Sequence, residues 1–168
     1  APHGPDGPIY PGTCRTIPKV DAAARIHDGE AYAIRLNTAA AIARTGTIQW
    51  REDNDAITAN PLQFGDIVLS RKDAPASYHL AVVIDDAASG VTLVTRGSDL
   101  KTATNIQALL QRLLGLPTPA YRHHRLVLSA DGQRLAKRAK SASIAERCGA
   151  GETPDMVLDA AKRQLGEY

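Results

Sequence analysis

This chain of 168 residues is short of aromatic side chains: one tryptophan, one phenylalanine and five tyrosines amount to 4% of it. Its core must therefore be built mainly from Ala, Leu, Ile and Val. There are only two cysteines, Cys14 and Cys148. That excludes the disulfide-dense scaffold of small secreted domains and points to a reducing, cytoplasmic setting, with a single Cys14–Cys148 bridge as the alternative. No apolar run approaches the roughly 18 residues a membrane helix requires. The longest, Leu80 to Ile84, stops at Asp85-Asp86. The 13 glycines and 10 prolines follow no period, which excludes collagen-like and low-complexity chains. The sequence carries no Walker loop, dinucleotide fingerprint, G-x-S-x-G elbow or H-E-x-x-H helix. Its net charge of +2 is too small to specify a partner.

What remains is a globular composition, 43% hydrophobic and 23% charged, of a length suited to one domain with its own core. The chain starts at Ala1 rather than Met, which predicts either a removed leader or a longer parent. Charge is uneven along it. Between Arg112 and Lys140 there are seven Lys/Arg against one acid, Asp131. That stretch either faces phosphate groups or is a solvated surface.

Residues 1–18, with prolines at 2, 5, 8, 11 and 18, are expected to be irregular. A short helix is predicted over 21–29, and strands over 31–36, 47–50 and 66–70, making a small, largely antiparallel front sheet. From residue 77 the pattern becomes α/β. A buried helix over 77–88 has Ser77 as candidate N-cap, and a strand follows over 91–95. A helix over 102–114 aligns Ile106, Leu109, Leu110, Leu113 and Leu114 in one stripe, closed by Gly115. A strand over 121–128 and a helix over 154–165 complete the chain. Strand–helix–strand with a crossover of this length predicts a parallel sheet.

In open parallel sheets ligands bind beyond the carboxyl ends of strands, which singles out Arg96-Gly97-Ser98-Asp99 and the segment from Ser129. Arg96 offers a bidentate fork to a carboxylate or phosphate; the alternative is a surface arginine at a strand end. The run from Gln133 to Lys140 carries four cations that could stabilise a leaving polyphosphate. His123 and His124 alternate faces on a strand and cannot chelate one ion together. Tyr10-x-x-x-Cys14 sets a phenol and a thiol at short spacing, but two ligands are not a zinc site.

Longer motifs then carry a resemblance. Gly65-Asp66-Ile67-Val68-Leu69-Ser70-Arg71-Lys72-Asp73, Ser77-Tyr78-His79-Leu80-Ala81-Val82-Val83-Ile84-Asp85-Asp86 and Val94-Thr95-Arg96-Gly97-Ser98-Asp99-Leu100 resemble the second half of the catalytic domain of bacterial glutamyl-tRNA synthetases. The likeness continues through Leu113-Leu114-Gly115-Leu116-Pro117, His124-Arg125-Leu126-Val127-Leu128 and Asp131-Gly132-Gln133-Arg134-Leu135. Within the family, Ile9-Tyr10-Pro11-Gly12-Thr13-Cys14-Arg15 and the short tail are most similar to the shortened glutamyl-Q tRNA(Asp) synthetase branch.

The resemblance implies an α/β fold: the second half of a class I, Rossmann-type catalytic domain with a small antiparallel β insertion. Residues 1–64 then form a zinc-segment remnant and β-rich insertion, and 65–168 the nucleotide-binding half with its signature loop and short terminal helices. It implies ATP, with Mg, as substrate, L-glutamate and tRNA(Asp) as partners, glutamate transfer to the queuosine base, a monomer, and no membrane. Tyr78 and Arg96 match the positions that hold glutamate. Arg134, Leu135, Ala136, Lys137 and Arg138 match the ATP signature loop, in which Lys137 stands for the catalytic second lysine. Tyr10 and Cys14 match two of four zinc ligands. The loop departs from the family at Arg134 and Ala136, where lysine and serine are usual. The His-x-Gly-His-type signature and the Cys-x-Cys pair do not occur, so these residues alone are expected to be inactive. Two other readings stand beside this one: a piece of an enzyme charging tRNA(Glu) at its 3′ end, and a non-catalytic RNA-binding module.

Overall fold

A computed structural model of the chain describes residues 2–5, 7–129, 135 and 142–166. The described chain divides into two compact units: residues 1–94 with 100–122, and residues 95–99 with 123–168. The first unit opens with a two-residue ribbon, β1 (His3–Gly4) against β2 (Gly7–Pro8), followed by helix α1 (Lys19–His27). Strand β3 (Ala33–Leu36) pairs antiparallel with β6 (Ile67–Arg71), with a bulge between Ile34 and Arg35.

Between those strands lie two elements beyond the predicted ones, a helix and a strand. Helix α2 (Thr38–Thr45) is capped by Asn37, whose side chain accepts from the Ala40 N–H at 3.0 Å. Its asparagine cap and Ala-rich body are ordinary helix signals. Strands β4 (Gln49–Glu52) and β5 (Asp55–Thr58) form a hairpin turned at Asp53-Asn54. Asp53 has φ of 50°, the positive value that two-residue hairpin loops require and that Asp tolerates. The stretch between the predicted strands 47–50 and 66–70 thus holds a strand of its own, β5.

Helix α3 (Tyr78–Ala88) begins where expected, with Ser77 accepting from the Leu80 N–H at 3.3 Å. It buries only Val83, and Ile84 is 46% exposed, so it is a surface helix rather than a core one. Strand β7 (Leu93–Gly97) leads through helix α4 (Thr104–Leu114) to β8 (Ala120–His124). The four-stranded sheet has the order β5-β4-β8-β7, with β8 parallel to β4. Helix α4 joins β7 to its sheet neighbour β8, and the β4–β5 hairpin extends the same sheet. Strands β7 and β8 begin in the first unit and end in the second.

Helix α4 is the hub of the first unit. Ala108 and Leu109 pack with Ala41, Ile48, Trp50 and Tyr121. Ile106 and Leu110 pack with Phe64, Ile67 and Val83. The stripe is therefore wider than expected, and it rotates. Leu114 is 49% exposed, whereas the polar Gln107 and Gln111 are buried. Gln111 is held by its Nε2, which donates to the Tyr121 hydroxyl at 3.1 Å. Gly115, in the left-handed conformation, closes the helix.

In the second unit, helix α5 (Ile144–Gly149) was not foreseen, although Ser143 and Glu146 form a full capping box. Helix α6 (Pro154–Leu165) has the predicted bounds, with Thr153 accepting from the Met156 N–H at 3.3 Å. Gln164 ties it to Leu128, donating to its carbonyl at 3.1 Å and accepting from its N–H at 2.8 Å. Among the described residues no helix is long and apolar enough to cross a membrane.

Candidate active site

Strand alternation places Arg96 on the same face of β7 as Val94, and His123 on the same face of β8 as Tyr121. In the second unit these two meet: Arg96 Nε donates to His123 Nε2 at 3.2 Å, and both side chains are half-buried. His124, on the opposite face, is exposed and has Nδ1 2.8 Å from the Arg125 carbonyl. The two histidines do point apart, as their alternation predicts. A Cβ at Gly97 would stand 2.4 Å from Asp99 Oδ1 and 2.7 Å from Leu126 Cδ2. Only glycine lets the chain turn this closely after Arg96.

Tyr78 lies in the first unit, as the first residue of α3. It is 54% exposed and edge-on to His79, with ring centroids 5.5 Å apart. It lines a cavity of about 300 Å³ with Val68, Ser70, Arg71 and Ser77. The N-terminal end of α3 opens there, so its dipole favours a negative group in the cavity. Arg71, which the sequence reading did not single out, adds a cation and pairs with Asp73 at 3.2 Å. Tyr78 belongs to the first unit and Arg96 to the second. Of the signature loop, Arg134, Ala136, Lys137 and Arg138 lie outside the described residues. Leu135 is described, and its N–H donates to the Val127 carbonyl at 3.5 Å.

The Tyr10 and Cys14 pair is brought together. The Cys14 N–H donates to the Tyr10 hydroxyl at 2.6 Å, and both side chains open onto a cavity of about 430 Å³ in front of α1 and β3. The thiol is held below its ordinary range, first by the hydrogen bond from Tyr10, then by that from Thr13, with Arg25 and Arg35 adding positive charge. Both donors are fastened to the fold through Asp66, a carboxylate only 6% exposed. Arg15, next to Cys14, donates to Asp66 Oδ2 from Nε at 3.0 Å and Nη2 at 2.6 Å. The Thr38 N–H reaches Oδ1 at 3.3 Å. Arg35 covers the Tyr10 ring at 4.6 Å and donates to the Asp66 carbonyl at 2.9 Å. Asp66 was visible only as part of a motif, because its partners are remote in sequence.

A phenol beside a thiol whose ionisation is made easier suits a zinc ion chemically, as two donors of a tetrahedral set. Among the described residues no group of three His, Cys, Asp or Glu could complete it. Both cysteines are free thiols. With Cys148 replaced by serine, alkylation of Cys14 should reach half its maximal rate at a pH below that of an ordinary thiol. Tyr10→Phe removes the larger stabilising hydrogen bond and should move that midpoint upward. An unmoved midpoint in the iodoacetamide pH profile would show that Tyr10 does not govern the thiolate.

The family model of class I tRNA synthetases (E and Q), catalytic domain, matches residues 4–165. The chain belongs to this family. It is 45% identical over 166 residues to a glutamyl-Q tRNA(Asp) synthetase of Nocardia farcinica, covering 99% of this chain and 51% of that one. A protein of the same name from Rhodobacter capsulatus is 43% identical over 164 residues, covering 92% of this chain and 56% of its own. The chain thus spans about half the length of the curated relatives it matches. Among solved structures, a glutamate tRNA ligase of Elizabethkingia meningosepticum superposes with a TM-score of 0.59 at 24% identity. That match covers 77% of this chain and 26% of the ligase, and it supports the fold of a class I catalytic domain.

Proposed function

We propose that this chain forms the second half of a glutamyl-Q tRNA(Asp) synthetase catalytic domain. The parent enzyme joins L-glutamate to ATP, releasing pyrophosphate and leaving glutamyl-adenylate, and then passes the glutamyl group to the queuosine base of tRNA(Asp), with AMP as the leaving group. The observation that carries this reading is a likeness over nearly the whole of this chain to about half the length of proteins of that name, with Tyr78 and Arg96 standing at motif positions whose side chains suit glutamate. Residues 1–64 supply the zinc segment and β-rich insertion, and 65–168 the nucleotide-binding half.

In this reading Tyr78 orients the amino acid by its phenol, and the Arg96 fork pairs with a glutamate carboxylate. Lys137 stabilises the negative charge that builds on the leaving pyrophosphate. ATP enters as its magnesium complex. A zinc ion, held in part by Tyr10 and Cys14, would supply structural cross-linking and no chemistry. The enzyme works as a cytoplasmic monomer.

Glutamate-dependent ATP–pyrophosphate exchange by the parent protein, followed by transfer of labelled glutamate to queuosine-containing tRNA(Asp), tests the proposal. Labelling of the 3′ end of tRNA(Glu) instead would overturn the acceptor. The signature loop gives a second test. Arg134 and Ala136 replace a compact ammonium by a planar cation and remove one hydroxyl. Restoring both, by Arg134→Lys with Ala136→Ser, should raise kcat/KM for ATP about tenfold or more, since one hydrogen bond to a charged group is worth about 1.5–3 kcal/mol. An unchanged kcat/KM would remove the loop from ATP turnover.

A further inference from the structure

We propose that Asp66, acting through Arg15, is the positioning residue of the Tyr10–Cys14 pair, and that this clamp sets how tightly the pair holds a metal ion. The proposal rests on the zinc role given to Tyr10 and Cys14 above, and it assigns the residues that keep those two donors in place. Its basis is that both ends of the donor segment rest on two consecutive residues. At one end, Ile9 lies so close to Gly65 that a Cβ there would stand 2.5 Å from Ile9 Cγ2. At the other end, Arg15 donates twice to Asp66 Oδ2, from Nε at 3.0 Å and from Nη2 at 2.6 Å. Tyr10 and Cys14 lie between these two anchors.

The clamp reaches each donor by its own route. Toward Cys14, the Arg15 N–H donates to the Gly12 carbonyl at 3.0 Å, closing a tight turn around Thr13 and Cys14. Gly12 has φ of 85°, and a Cβ on it would stand 3.2 Å from Arg15 Cζ, Nε and Nη1. The guanidinium therefore crosses its own turn on the way to Asp66, a path that glycine leaves open. Toward Tyr10, Arg35 covers the ring at 4.6 Å and donates to the Asp66 carbonyl at 2.9 Å. The Cys14 N–H, donating to the Tyr10 hydroxyl at 2.6 Å, joins the two routes. Asp66 is a firm anchor because it is 6% exposed and its Oδ1 accepts from the Thr38 N–H, at the start of α2, at 3.3 Å. Donors held by the chain's own bonds lose less freedom when an ion binds, which strengthens binding.

Zinc affinity of the parent protein, read by competition with a chromophoric chelator, tests the assignment. Arg15→Ala removes a side chain that is 51% exposed, so it opens no cavity. It should weaken zinc binding about tenfold or more, the scale for residues that orient metal ligands. Asp66→Asn should weaken it too, and the double variant should lose no more than the worse single one, because the two residues act as one clamp. Arg15→Lys, which keeps the charge and one donor, should recover part of the loss. With cobalt in place of zinc, Arg15→Ala should reach the native visible spectrum at saturation, but only at higher metal concentration. An unchanged zinc affinity in Arg15→Ala would overturn the proposal. If Cys14→Ser weakens zinc binding and Arg15→Ala does not, the clamp fails while the zinc reading stands. If neither variant changes it, the zinc reading of the pair fails as well. A cobalt spectrum altered at saturation, or helical circular dichroism lost in the metal-free Arg15→Ala protein, would make Arg15 a purely structural residue and overturn the proposal.

Discussion

Replacing Arg96 by alanine is expected to raise the KM for glutamate in the parent enzyme by roughly 100-fold. In the role proposed for Arg96, two charge-assisted bonds to one carboxylate are lost together, and each such bond is worth about 1.5–3 kcal/mol, where about 1.4 kcal/mol is tenfold. Arg96→Lys keeps the charge but cannot donate two bonds in one plane while also reaching His123, so a loss nearer tenfold is expected. ATP–pyrophosphate exchange, titrated with glutamate at saturating ATP, reads both. A glutamate KM within about twofold of the native value in Arg96→Ala would end the assignment.

The largest effect on stability is expected at Tyr121, which is 1% exposed. Its ring meets Trp50 edge-on, with centroids 5.6 Å apart at 78°. Its hydroxyl receives the Gln111 Nε2 bond at 3.1 Å. Tyr121→Ala leaves a cavity beneath the sheet and strands Gln111, whose Oε1 already has no hydrogen-bond partner among the described residues. Losing a buried aromatic ring costs roughly 3–5 kcal/mol. At roughly 2–4 °C per kcal/mol for a chain of this size, Tm should fall by about 10 °C. Tyr121→Phe keeps the ring and loses only the bond, about 1–2 kcal/mol. Trp50 is the single tryptophan, so its fluorescence follows this core directly during urea unfolding. A cost below about 1 kcal/mol for Tyr121→Ala would contradict the packing described for this cluster.

The two substitutions probe sites that differed in how far they could be read from the chain. Tyr121 belongs to a strand expected over 121–128 and found over Ala120–His124, and Arg96 to a motif after a β-branched run. The turn at Asp53-Asn54 and the capping box at Ser143 and Glu146 were legible too, but their residues are common in loops and the elements were missed. Leu114 and Gln111 were misjudged for another reason. A helix packed on two sides has no single polar face, and a 3.6-residue stripe predicts only one. The N-terminal segment, with its prolines, offered no periodicity at all.

Local order is what the sequence determined by itself. Caps and glycine stops bound α3, α4 and α6, alternation assigned β3, and a β-branched run marked β7, because these signals act over a few residues of backbone. Its motifs also placed Tyr78, Arg96, Tyr10 and Cys14 in a family. Tertiary structure alone decided which side chains share a site. Asp66 gathers Arg15, Arg35 and Thr38 from 51, 31 and 28 positions away. Arg96 finds His123 across 27. Such contacts depend on strand order and register, which follow from how several apolar faces are buried at once. No window of the chain contains that information, since each pair is set by the packing of everything between.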